Sequence, residues 1–588
     1  MPDTPDQPDM DGGEIIARVL TRQGVRQLYT LCGGHISPIL VGAKRAGIAV
    51  IDVRDEASAV FAADASARMS GIPGVAAVTA GPGLTNTITA VKNAQLAESP
   101  LVIFGGKTAT VLEGRGALQD IDQRALMRPH VKHVFTPRSV RQLVATVESA
   151  FRIAREGVPG PVFVEVPVDL LYAESTVREW YIDQGGVKNP KNLVGFATRA
   201  YLEQHLARQF WGAPGPEPSD PASVAIPEAN VLELGRLLGL LRDAERPVIV
   251  VGSQAVARSA EVGLIADALG KLGAPVFLAG MARGLLGRDH DLQYRHKRSA
   301  ALKQADFALV CGFPLDFRLG YGQAINRKAK LVTVNLDEAA LVKNRRPTLG
   351  IHADSGRVLQ QLGRRFTAKP ARWVEWHAQL QQAERARDHE IVEQGKEPLS
   401  GGLNPIELFL QLEQRMADDS VLVVDGGDFV ATAAYILKPR RPLSWLDPGV
   451  FGTLGVGGGF AIAAGACRKQ AETWLIYGDG SSAYSLAEFD TYVRHGMAPI
   501  ALVGNDGSWN QIARDQVTLL GDACGTLLRR SDYHLVAQGY GGEGLLLDDP
   551  AKIGETIERA QALARAGKPV LINAMIGTSE FRKGSISI

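Results

Sequence analysis

Short runs of apolar residues alternate along the chain with longer stretches in which apolar residues recur at helical spacing. Four such runs are VFVEV at 162–166, VIVVG at 248–252, LVTVN at 331–335 and VLVVD at 421–425. Buried strands that alternate with amphipathic helices are typical of parallel α/β domains. The pattern therefore predicts an α/β fold built from parallel sheets.

Length and composition divide this pattern into domains. A chain of 588 residues is too long for a single core, and two breaks interrupt it: a stretch rich in Pro and Gly at 212–223 and a charged stretch at 386–404. We expect a disordered leader at 1–11, a first α/β domain at 12–185, an insertion or linker at 186–227, a second domain at 228–370, a linker at 371–399 and a third domain at 400–588. The insertion is long enough that we expect it to be ordered by packing on a neighbour.

Composition excludes several classes of protein. Charged residues make up 22% of the chain and the net charge is +1 without a long basic run, which argues against a dedicated nucleic-acid binder. No apolar stretch approaches the roughly 18 residues of a membrane span, and the acidic, Pro-rich start lacks the features of a signal peptide. The scattered cysteines Cys32, Cys311, Cys467 and Cys524 form no CxxC pair, as expected in a reducing cytoplasm.

Two polar segments follow predicted strands in the last third of the chain. The segment GDGSS at 478–482 comes after the apolar run at 473–477, and the segment NDG at 505–507 comes after the run at 499–503. Between them, 485–495 has apolar residues at helical spacing. Ligands of open α/β sheets bind at the carboxyl ends of strands, which is where both segments lie.

The donors in these segments predict a metal ion. Asp479 and Asn505 supply hard oxygen atoms, and the loop at Gly507 supplies a carbonyl. Mg²⁺ prefers octahedral oxygen coordination and commonly shares phosphate oxygens with one or two protein ligands. The two segments therefore predict a magnesium ion bound to a diphosphate.

The order of strand, GDG, helix, strand and NDG resembles the motif of thiamine diphosphate (ThDP) enzymes. In the first domain, VRDEA at 53–57 and the segment GVAAVTAGPGLTN that follows it resemble the pyrimidine-binding domain of acetolactate synthases and their relatives. This resemblance places Glu56 at the position of the catalytic glutamate, the buried acid that contacts N1′ of the aminopyrimidine. The family usually carries His before this Glu, whereas this chain has Asp55.

Other first-domain residues acquire roles from the same resemblance. His35 lies with Gly33 and Gly34 on the loop after the first strand, which borders the thiazolium in this fold. We expect His35 to bind the substrate oxygen or transfer a proton, although a loop histidine satisfied by backbone remains the alternative. Gln119 matches a Gln that follows the GTDAF stretch of acetolactate synthases and is expected to face the cofactor, as is Asn86 in the GPGLTN turn.

The third domain carries the remaining cofactor motif. FGTLGVGGG at 451–459 resembles the segment in which a bulky aliphatic residue holds ThDP in its bent shape, so Leu454, next to Thr453, takes that part. The predicted contacts of the cofactor diphosphate are Gly426, Gly427 and Asp428 after one strand, and Gly478, Asp479, Gly480, Ser481, Ser482 and Asn505 around the metal motif. Glu488 is either a catalytic acid near the substrate or a residue that bonds buried loop amides.

The segments GGHISP, AADASARMSG and GRGALQ look closest to acetolactate synthase-like proteins that are 2-hydroxyacyl-CoA lyases. The resemblance implies ThDP and Mg²⁺ as cofactors and the cleavage of the C1–C2 bond of a 2-hydroxyacyl-CoA to formyl-CoA and an aldehyde or ketone. Two alternatives remain: an acetolactate synthase that condenses pyruvate and holds FAD, and a catalytically silent regulatory subunit. Relatives assemble their sites across subunits, which implies a homodimer or homotetramer.

An acyl-CoA substrate also needs a site for its phosphates. The second domain offers Arg258, Arg283 and Asp337 at strand ends. In related lyases the C-terminal tail acts as a lid, so Arg582 and Lys583 are further candidates for contact with CoA.

Overall fold

The computed structural model describes residues 10–366 and 370–582. Most of the predicted leader, and Lys583 with the end of the predicted lid, lie outside the described residues. The chain forms two compact units, one ending at Val224 and the other beginning at Ala225, except that Arg68–Gly71 belongs to the second unit. Within the described residues there are three six-stranded parallel sheets, which confirms the predicted α/β fold.

The first sheet lies in the first unit and has the strand order β2-β1-β3-β4-β6-β5. Its strands are β1 (Gln27–Thr30), β2 (Ala49–Asp52), β3 (Gly74–Val78), β4 (Leu101–Lys107), β5 (His133–Phe135) and β6 (Pro161–Pro167). The helices along this part of the chain are α1 (Gly12–Arg22), α2 (Ser37–Arg45), α3 (Glu56–Ser70), α4 (Pro82–Thr85), α5 (Ile88–Leu96), α6 (Gln123–Met127), α7 (Leu143–Arg155), α8 (Glu174–Arg178) and α9 (Leu193–Phe210). Strands β3, β4 and β6 are buried along their whole length, because helices cover both faces of a parallel sheet.

The second sheet has the order β12-β11-β10-β7-β8-β9. Its strands are β7 (Pro247–Val251), β8 (Val276–Leu278), β9 (Gln293–Tyr294), β10 (Phe307–Cys311), β11 (Lys330–Asn335) and β12 (Leu349–His352). Its helices are α10 (Val231–Asp243), α11 (Val262–Leu272), α12 (Arg298–Gln304), α13 (Glu338–Val342), α14 (Ser355–Arg365) and α15 (Trp373–Gly395). Helix α10 begins with a full capping box between Asn230 and Glu233, which fixes its first turn.

The third sheet has the order β14-β13-β15-β16-β18-β17, the same sequence of crossovers as the first. Its strands are β13 (Val421–Val424), β14 (Trp445–Leu446), β15 (Thr473–Gly478), β16 (Ile500–Asn505), β17 (Glu543–Leu547) and β18 (Val570–Met575). Its helices are α16 (Pro405–Arg415), α17 (Asp428–Ile436), α18 (Val456–Cys467), α19 (Asp479–Ser482), α20 (Glu488–Arg494), α21 (Asn510–Leu520), α22 (Tyr533–Gly539) and α23 (Ile553–Arg565).

Two segments predicted as an insertion and a linker contain regular structure. Helix α9 occupies much of 186–227 and is anchored in its own unit by Gln209, whose Nε2 donates to the buried Asp169 carboxylate at 2.7 Å. Helix α15 occupies most of 371–399 and buries Trp373 and Trp376. Because the surface of α15 is charged, composition alone does not reveal these two buried tryptophans.

Each sheet reverses its strand order at one point, and that point predicts where ligands bind. In the first sheet it lies between β1 and β3, in the second between β7 and β10, and in the third between β13 and β15. The loops that leave the carboxyl ends of these strands carry most of the candidate residues. Among the described residues, no helix is both long and apolar enough to cross a membrane.

Candidate active site

The predicted metal ligands meet at the carboxyl ends of β15 and β16. These strands pair in parallel with Gly478 opposite Gly504, so Asp479 and Asn505 leave adjacent strands at the same edge. One oxygen of Asp479 accepts a hydrogen bond from the Gly480 amide and the other accepts one from the Gly507 amide, both at 2.8 Å. The Gly507 carbonyl, a candidate ligand, also accepts the Leu528 amide at 2.7 Å. The structure thus brings the GDG and NDG segments together as one site.

Asn505 is held so that one acceptor remains unused. Its Nδ2 donates to the Ser531 carbonyl at 3.0 Å and to Asn573 Oδ1 at 3.1 Å, and the residue is fully buried. Its Oδ1 is buried and has no hydrogen-bond partner in the described part of the chain. An unsatisfied buried acceptor is costly, and a cation beside it would remove that cost.

The charged forms of the two carboxylates near this amide, Asp479 and Asp506, are also unfavourable without a cation. Burial raises the pKa of Asp479, although the amides of Gly480 and Gly507 offset part of the effect. Burial, and secondly the charge of Asp479, raise the pKa of Asp506 to about 7. The Asp479 carboxylate, the orphaned amide oxygen of Asn505 and the Gly507 carbonyl form an all-oxygen donor set, to which the half-buried Asp506 adds a nearby negative charge. Such a set fits Mg²⁺ and would not suit a metal that prefers sulfur or imidazole.

The predicted diphosphate loop lies beside this site, at the point where the strand order reverses. Gly427 has φ of +109° and ψ of 179°, a conformation that only glycine adopts readily. A Cβ added to Gly426 would lie 2.3 Å from Cδ2 of Leu454. Leu454 therefore lies directly against the loop. This position is available to Leu454 only because Gly426 has no side chain. Thr453 Oγ1 donates to the Leu454 carbonyl at 3.1 Å.

The carboxylate of Asp425 holds Leu454 in place, a role that the sequence did not suggest. Asp425 ends the run VLVVD, is 2% exposed, and accepts the amides of Gly455 at 3.0 Å and Gly457 at 2.7 Å. Burial raises its pKa to about 7 even though both amides favour the charged form. An acid at the end of a buried strand and directly before a glycine pair was the available signal, but its partners lie thirty residues away along the chain.

Glu488 lies in a buried polar network behind the glycine-rich start of α18. It is 1% exposed and accepts a hydrogen bond from Thr491 Oγ1 at 2.6 Å. A Cβ on Gly458 would lie 3.0 Å from Glu488 Cγ. In the same network, Ser485 Oγ accepts the Gly458 amide at 3.1 Å and shares a 2.7 Å hydrogen bond with the hydroxyl of Tyr477.

Glu488→Gln is expected to lower kcat by about tenfold to a hundredfold with ThDP affinity retained, because the change removes an ionisable carboxyl group but keeps the side-chain shape. The measurement compares kcat with the dissociation constant of ThDP. Thr491→Val is the matched control, since it removes the same hydrogen bond from the other side. Equal losses in both variants would show that Glu488 acts through the network, and a loss of ThDP binding would contradict the catalytic role.

Glu56 opens helix α3 after β2 and is 8% exposed. Its Oε2 accepts a hydrogen bond from Asn86 Nδ2 at 3.1 Å. A Cβ on Gly83 would lie 3.5 Å from Oε1. The GPGLTN turn therefore lies against the predicted catalytic glutamate, and Asn86 contacts that glutamate directly.

His35 lies where the first sheet reverses its strand order. Its Nδ1 and Thr79 Oγ1 share a 3.2 Å hydrogen bond, so the loops after β1 and β3 meet at this histidine. Burial lowers the pKa of His35, which favours the neutral imidazole. The side chain of Thr79 also lies against Gly33, whereas a Cβ at Gly34 would meet open space. Within the described residues, the hydrogen-bond partner of the His35 ring is thus a side chain, that of Thr79.

Gln119 lies beside the same GPGLTN turn. A Cβ on Gly81 would lie 2.8 Å from the Cβ of Gln119. Gln119 itself has φ of +64°, which is uncommon for a residue other than glycine and often marks a functional loop. The structure therefore brings Gln119 to the turn that carries Asn86.

The second-domain candidates each have a different partner within the described residues. Arg258 Nε donates to Glu261 at 3.1 Å, and Asp337 caps helix α13 by accepting the Ala339 amide. Arg283 donates from Nη1 to the Ala434 carbonyl at 2.8 Å, and its guanidinium lies 4.6 Å from the centre of the Trp445 ring. Arg283 thus fixes the carboxyl end of α17, the helix whose amino end is the predicted diphosphate loop.

The tail candidate Arg582 packs on that same end of α17. Its guanidinium lies 4.6 Å from the centre of the Tyr435 ring, and Phe581 meets this ring edge-on at 5.9 Å. Arg514 of α21 connects the tail to the predicted cofactor loop: it donates to the Arg582 carbonyl at 3.3 Å and to Asp428 at 2.8 Å.

Three family models match this chain. They are the N-terminal TPP binding domain of thiamine pyrophosphate enzymes at residues 10–126, the central domain at 234–362 and the C-terminal TPP binding domain at 425–574. Thiamine pyrophosphate is the same molecule as ThDP. The matches confirm the predicted family and its cofactor.

Curated relatives match almost the whole chain. "2-hydroxyacyl-CoA lyase 2" of Danio rerio is 48% identical and that of Homo sapiens 46%, in each case over 98% of this chain, and over 93% and 92% of those proteins. "Acetolactate synthase large subunit IlvG" of Mycobacterium tuberculosis is 33% identical over 98% of both chains.

A solved structure supports the fold. The ThDP-dependent 4-hydroxybenzoylformate decarboxylase of Rhodococcus jostii RHA1 superposes with a TM-score of 0.76 at 20% identity, covering 97% of this chain and 100% of that one. From the family models and the full-length relatives we conclude that this chain belongs to the thiamine pyrophosphate enzyme family, in the group that includes the 2-hydroxyacyl-CoA lyases.

Proposed function

We propose that this chain is a ThDP-dependent 2-hydroxyacyl-CoA lyase that cleaves the C1–C2 bond of its substrate to formyl-CoA and an aldehyde or ketone. The observation that carries the proposal is the difference in identity between 45–48% to several proteins named 2-hydroxyacyl-CoA lyase 2 and 33% to acetolactate synthases, at equal coverage of the chain. Pyruvate condensation is the second candidate.

In the second unit, Asp479, Asn505 and the Gly507 carbonyl would hold Mg²⁺, and the loop Gly426–Asp428 would hold the diphosphate. The buried orphaned oxygen of Asn505 supports the metal site, and the contact between Leu454 and Gly426 supports the assignment of Leu454 as the residue that bends the cofactor. Gly478, Gly480, Ser481 and Ser482 complete the proposed loop contacts. When bound, ThDP supplies the thiazolium electron sink for carbon–carbon cleavage.

In the first unit, Glu56 would hold a proton at N1′ of the aminopyrimidine, and Asn86 would orient the Glu56 carboxyl through their hydrogen bond. His35 is suited to the substrate oxygen because burial favours its neutral form and Thr79 Oγ1 fixes its ring through Nδ1. In the tautomer in which Nδ1 donates to Thr79, Nε2 would accept a proton or a hydrogen bond. Gln119 would contact the cofactor from its position beside the GPGLTN turn.

A direct assay tests this proposal. The purified chain with ThDP and Mg²⁺ is offered a panel of 2-hydroxyacyl-CoAs and, separately, pyruvate, and the products are identified by mass spectrometry. We expect formyl-CoA and the matching aldehyde or ketone, with no product in the Glu56→Gln variant. Acetolactate formed from pyruvate, with no cleavage of any acyl-CoA, would overturn the proposal.

The tail is proposed to close over the acyl-CoA, with Arg582 and Lys583 near the CoA. Arg514 supports this arrangement because it bonds both the tail and Asp428 of the cofactor loop. Deletion of residues 580–588 is expected to raise the KM for the acyl-CoA about tenfold with a smaller change in kcat, as for the loss of a closing segment. Deletion of 583–588 alone, which keeps Phe581 and Arg582, is the control; unchanged kinetics in both would refute the lid.

The assembly is proposed to be a homodimer or homotetramer in the cytoplasm. The family assembles its sites across subunits, and the four cysteines are unpaired, as expected in a reducing compartment. Light scattering of the purified chain measures the assembly directly, and a monomer that retains full activity would contradict it.

A further inference from the structure

Asn573 is a buried polar residue within an apolar strand. It lies in β18 between Ile572 and Ala574, and all three residues are fully buried. Strands β16 and β18 pair in parallel with Asn505 opposite Met575, so the side chain of Asn573, two residues before Met575, lies on the same face as that of Asn505. A buried amide lowers stability unless its polar atoms are bonded. Asn573 is therefore tolerated here only because of the hydrogen bonds that it makes.

The hydrogen bonds of Asn505 and Asn573 fix the orientation of both amides. Asn505 Nδ2 donates to the Ser531 carbonyl at 3.0 Å and to Asn573 Oδ1 at 3.1 Å. Asn573 Nδ2 donates to the same carbonyl at 2.9 Å and to His534 Nδ1 at 3.3 Å. An amide nitrogen carries two N–H groups and can only donate, so both nitrogens are saturated. Within this group the oxygen of Asn573 is thus the acceptor that faces Asn505.

The partners of Asn573 determine which of its two terminal atoms faces Asn505. Because Asn573 Nδ2 cannot accept, His534 Nδ1 accepts, which places the proton of the neutral imidazole on Nε2. If the amide of Asn573 were reversed, its oxygen would face the Ser531 carbonyl and His534 Nδ1, which are both acceptors. The Ser531 carbonyl and His534 therefore hold Oδ1 of Asn573 towards Asn505.

A reversed amide at Asn505 would be unfavourable for the same reason. Its Oδ1 would face the Ser531 carbonyl and Asn573 Oδ1, and two hydrogen bonds would be lost. In the observed orientation Oδ1 of Asn505 is buried and has no hydrogen-bond partner among the described residues. An amide oxygen can coordinate Mg²⁺, whereas an NH₂ group, which only donates, cannot. The orientation of this amide thus decides whether Asn505 offers a cation a ligand.

We propose that Asn573 is a positioning residue of the metal site: it fixes the Asn505 amide so that Oδ1, and not Nδ2, is the atom left to bind the cation. Groups that orient metal ligands in this way change metal affinity by about tenfold to a hundredfold when they are replaced. The inference rests on the magnesium site of the proposed function. It does not depend on the substrate, because the hydrogen bonds that carry it involve only residues around the metal site.

Calorimetric titration of ThDP at a series of fixed Mg²⁺ concentrations tests the proposal without requiring turnover. Asn573→Leu is close in size and removes the acceptor, and we expect it to raise the apparent dissociation constant of Mg²⁺ about tenfold. In Asn505→Asp both terminal atoms are oxygens, so orientation no longer decides what the cation meets. Asn573→Leu added to Asn505→Asp should therefore raise the constant less than about twofold, and this double-mutant cycle isolates the orienting effect.

Asn335→Leu is the matched control for the loss of a buried amide. Asn335 ends β11 in the second sheet and accepts a hydrogen bond from Gln254 Nε2 at 2.9 Å. Its replacement should lower the unfolding temperature and leave the Mg²⁺ dependence unchanged. An equal loss of Mg²⁺ affinity from Asn573→Leu with Asn or Asp at position 505 would mean a merely structural role and overturn the proposal. Unchanged affinity in Asn573→Leu, or a similar loss in Asn335→Leu, would also overturn it.

Two further variants keep the test decisive. If Asn573→Leu does not fold, His534→Phe, which removes one acceptor of Asn573 Nδ2, should raise the dissociation constant of Mg²⁺ about threefold, and no change would overturn the proposal. If Asp479→Asn leaves the Mg²⁺ dependence unchanged, the metal site and the inference fail together. An effect of Asp479→Asn without one of Asn573→Leu overturns the positioning role alone. Since the inference is decided by metal affinity, a failure to cleave acyl-CoA would count against the lyase function only.

Discussion

Turnover by Glu56→Gln is expected to fall at least about a thousandfold, within the range for loss of a proton-transferring group. Glutamine fills the same volume and can still accept the hydrogen bond that Asn86 donates to Glu56. It cannot, however, exchange a proton at the cofactor's N1′. The fold and the affinity for ThDP should therefore change little, and single-turnover rates with a saturating acyl-CoA should carry the whole effect.

Asp55→Asn provides the matched control for this prediction. Asp55 precedes Glu56, is exposed, and caps the start of α3 by accepting the Ala57 amide at 2.7 Å, a hydrogen bond that asparagine can also accept. The same loss of one negative charge should leave turnover nearly normal. If the two variants have equal rates, or if Glu56→Gln keeps near-normal activity, the assignment of Glu56 as the activating acid is wrong.

The sequence predicted those features that depend on the chain's local order. The apolar runs at 473–477 and 499–503 became β15 and β16, and because these strands are parallel neighbours, Asp479 and Asn505 had to meet at one edge. The carboxyl end of each strand is a property of the topology, so the position of the GDG and NDG segments followed from pattern alone.

Features that depend on contacts distant in sequence could not be predicted. The Asp425 carboxylate reaches amides thirty residues further on, and Glu488 packs against Gly458, which lies thirty residues earlier in the chain. Helix α15 lies in the segment predicted as a linker, and its charged surface gives no sign in the sequence of the two buried tryptophans that anchor it. Side-chain partners of this kind depend on which elements pack together, which residue spacing does not report.

Asp479→Asn is expected to weaken Mg²⁺-dependent binding of ThDP roughly tenfold to a hundredfold, the range for loss of a hydrogen-bonding or coordinating charge. The carboxylate oxygens of Asp479 now order the Gly480 and Gly507 amides at 2.8 Å each. Asparagine can replace only one of these acceptors, and its NH₂ group would face either an amide donor or the metal. Titration of ThDP at increasing Mg²⁺ measures the effect, with thermal unfolding as the check on the fold.

Asp506→Asn distinguishes a metal ligand from a nearby charge. Asp506 carries the same charge one residue after Asn505, and its pKa of about 7 reflects burial beside Asp479. If Asp479 coordinates the metal, its replacement should remove most of the Mg²⁺ dependence, whereas Asp506→Asn should reduce the affinity less because only a long-range charge is lost. Equal effects of both substitutions would mean that the acidic pair attracts the cation electrostatically, without coordination by Asp479. An unchanged Mg²⁺ dependence in Asp479→Asn would mean that the GDG segment does not bind the metal. The orphaned oxygen of Asn505 makes the first outcome the expected one, because it places a third donor beside Asp479 that no protein group satisfies among the described residues.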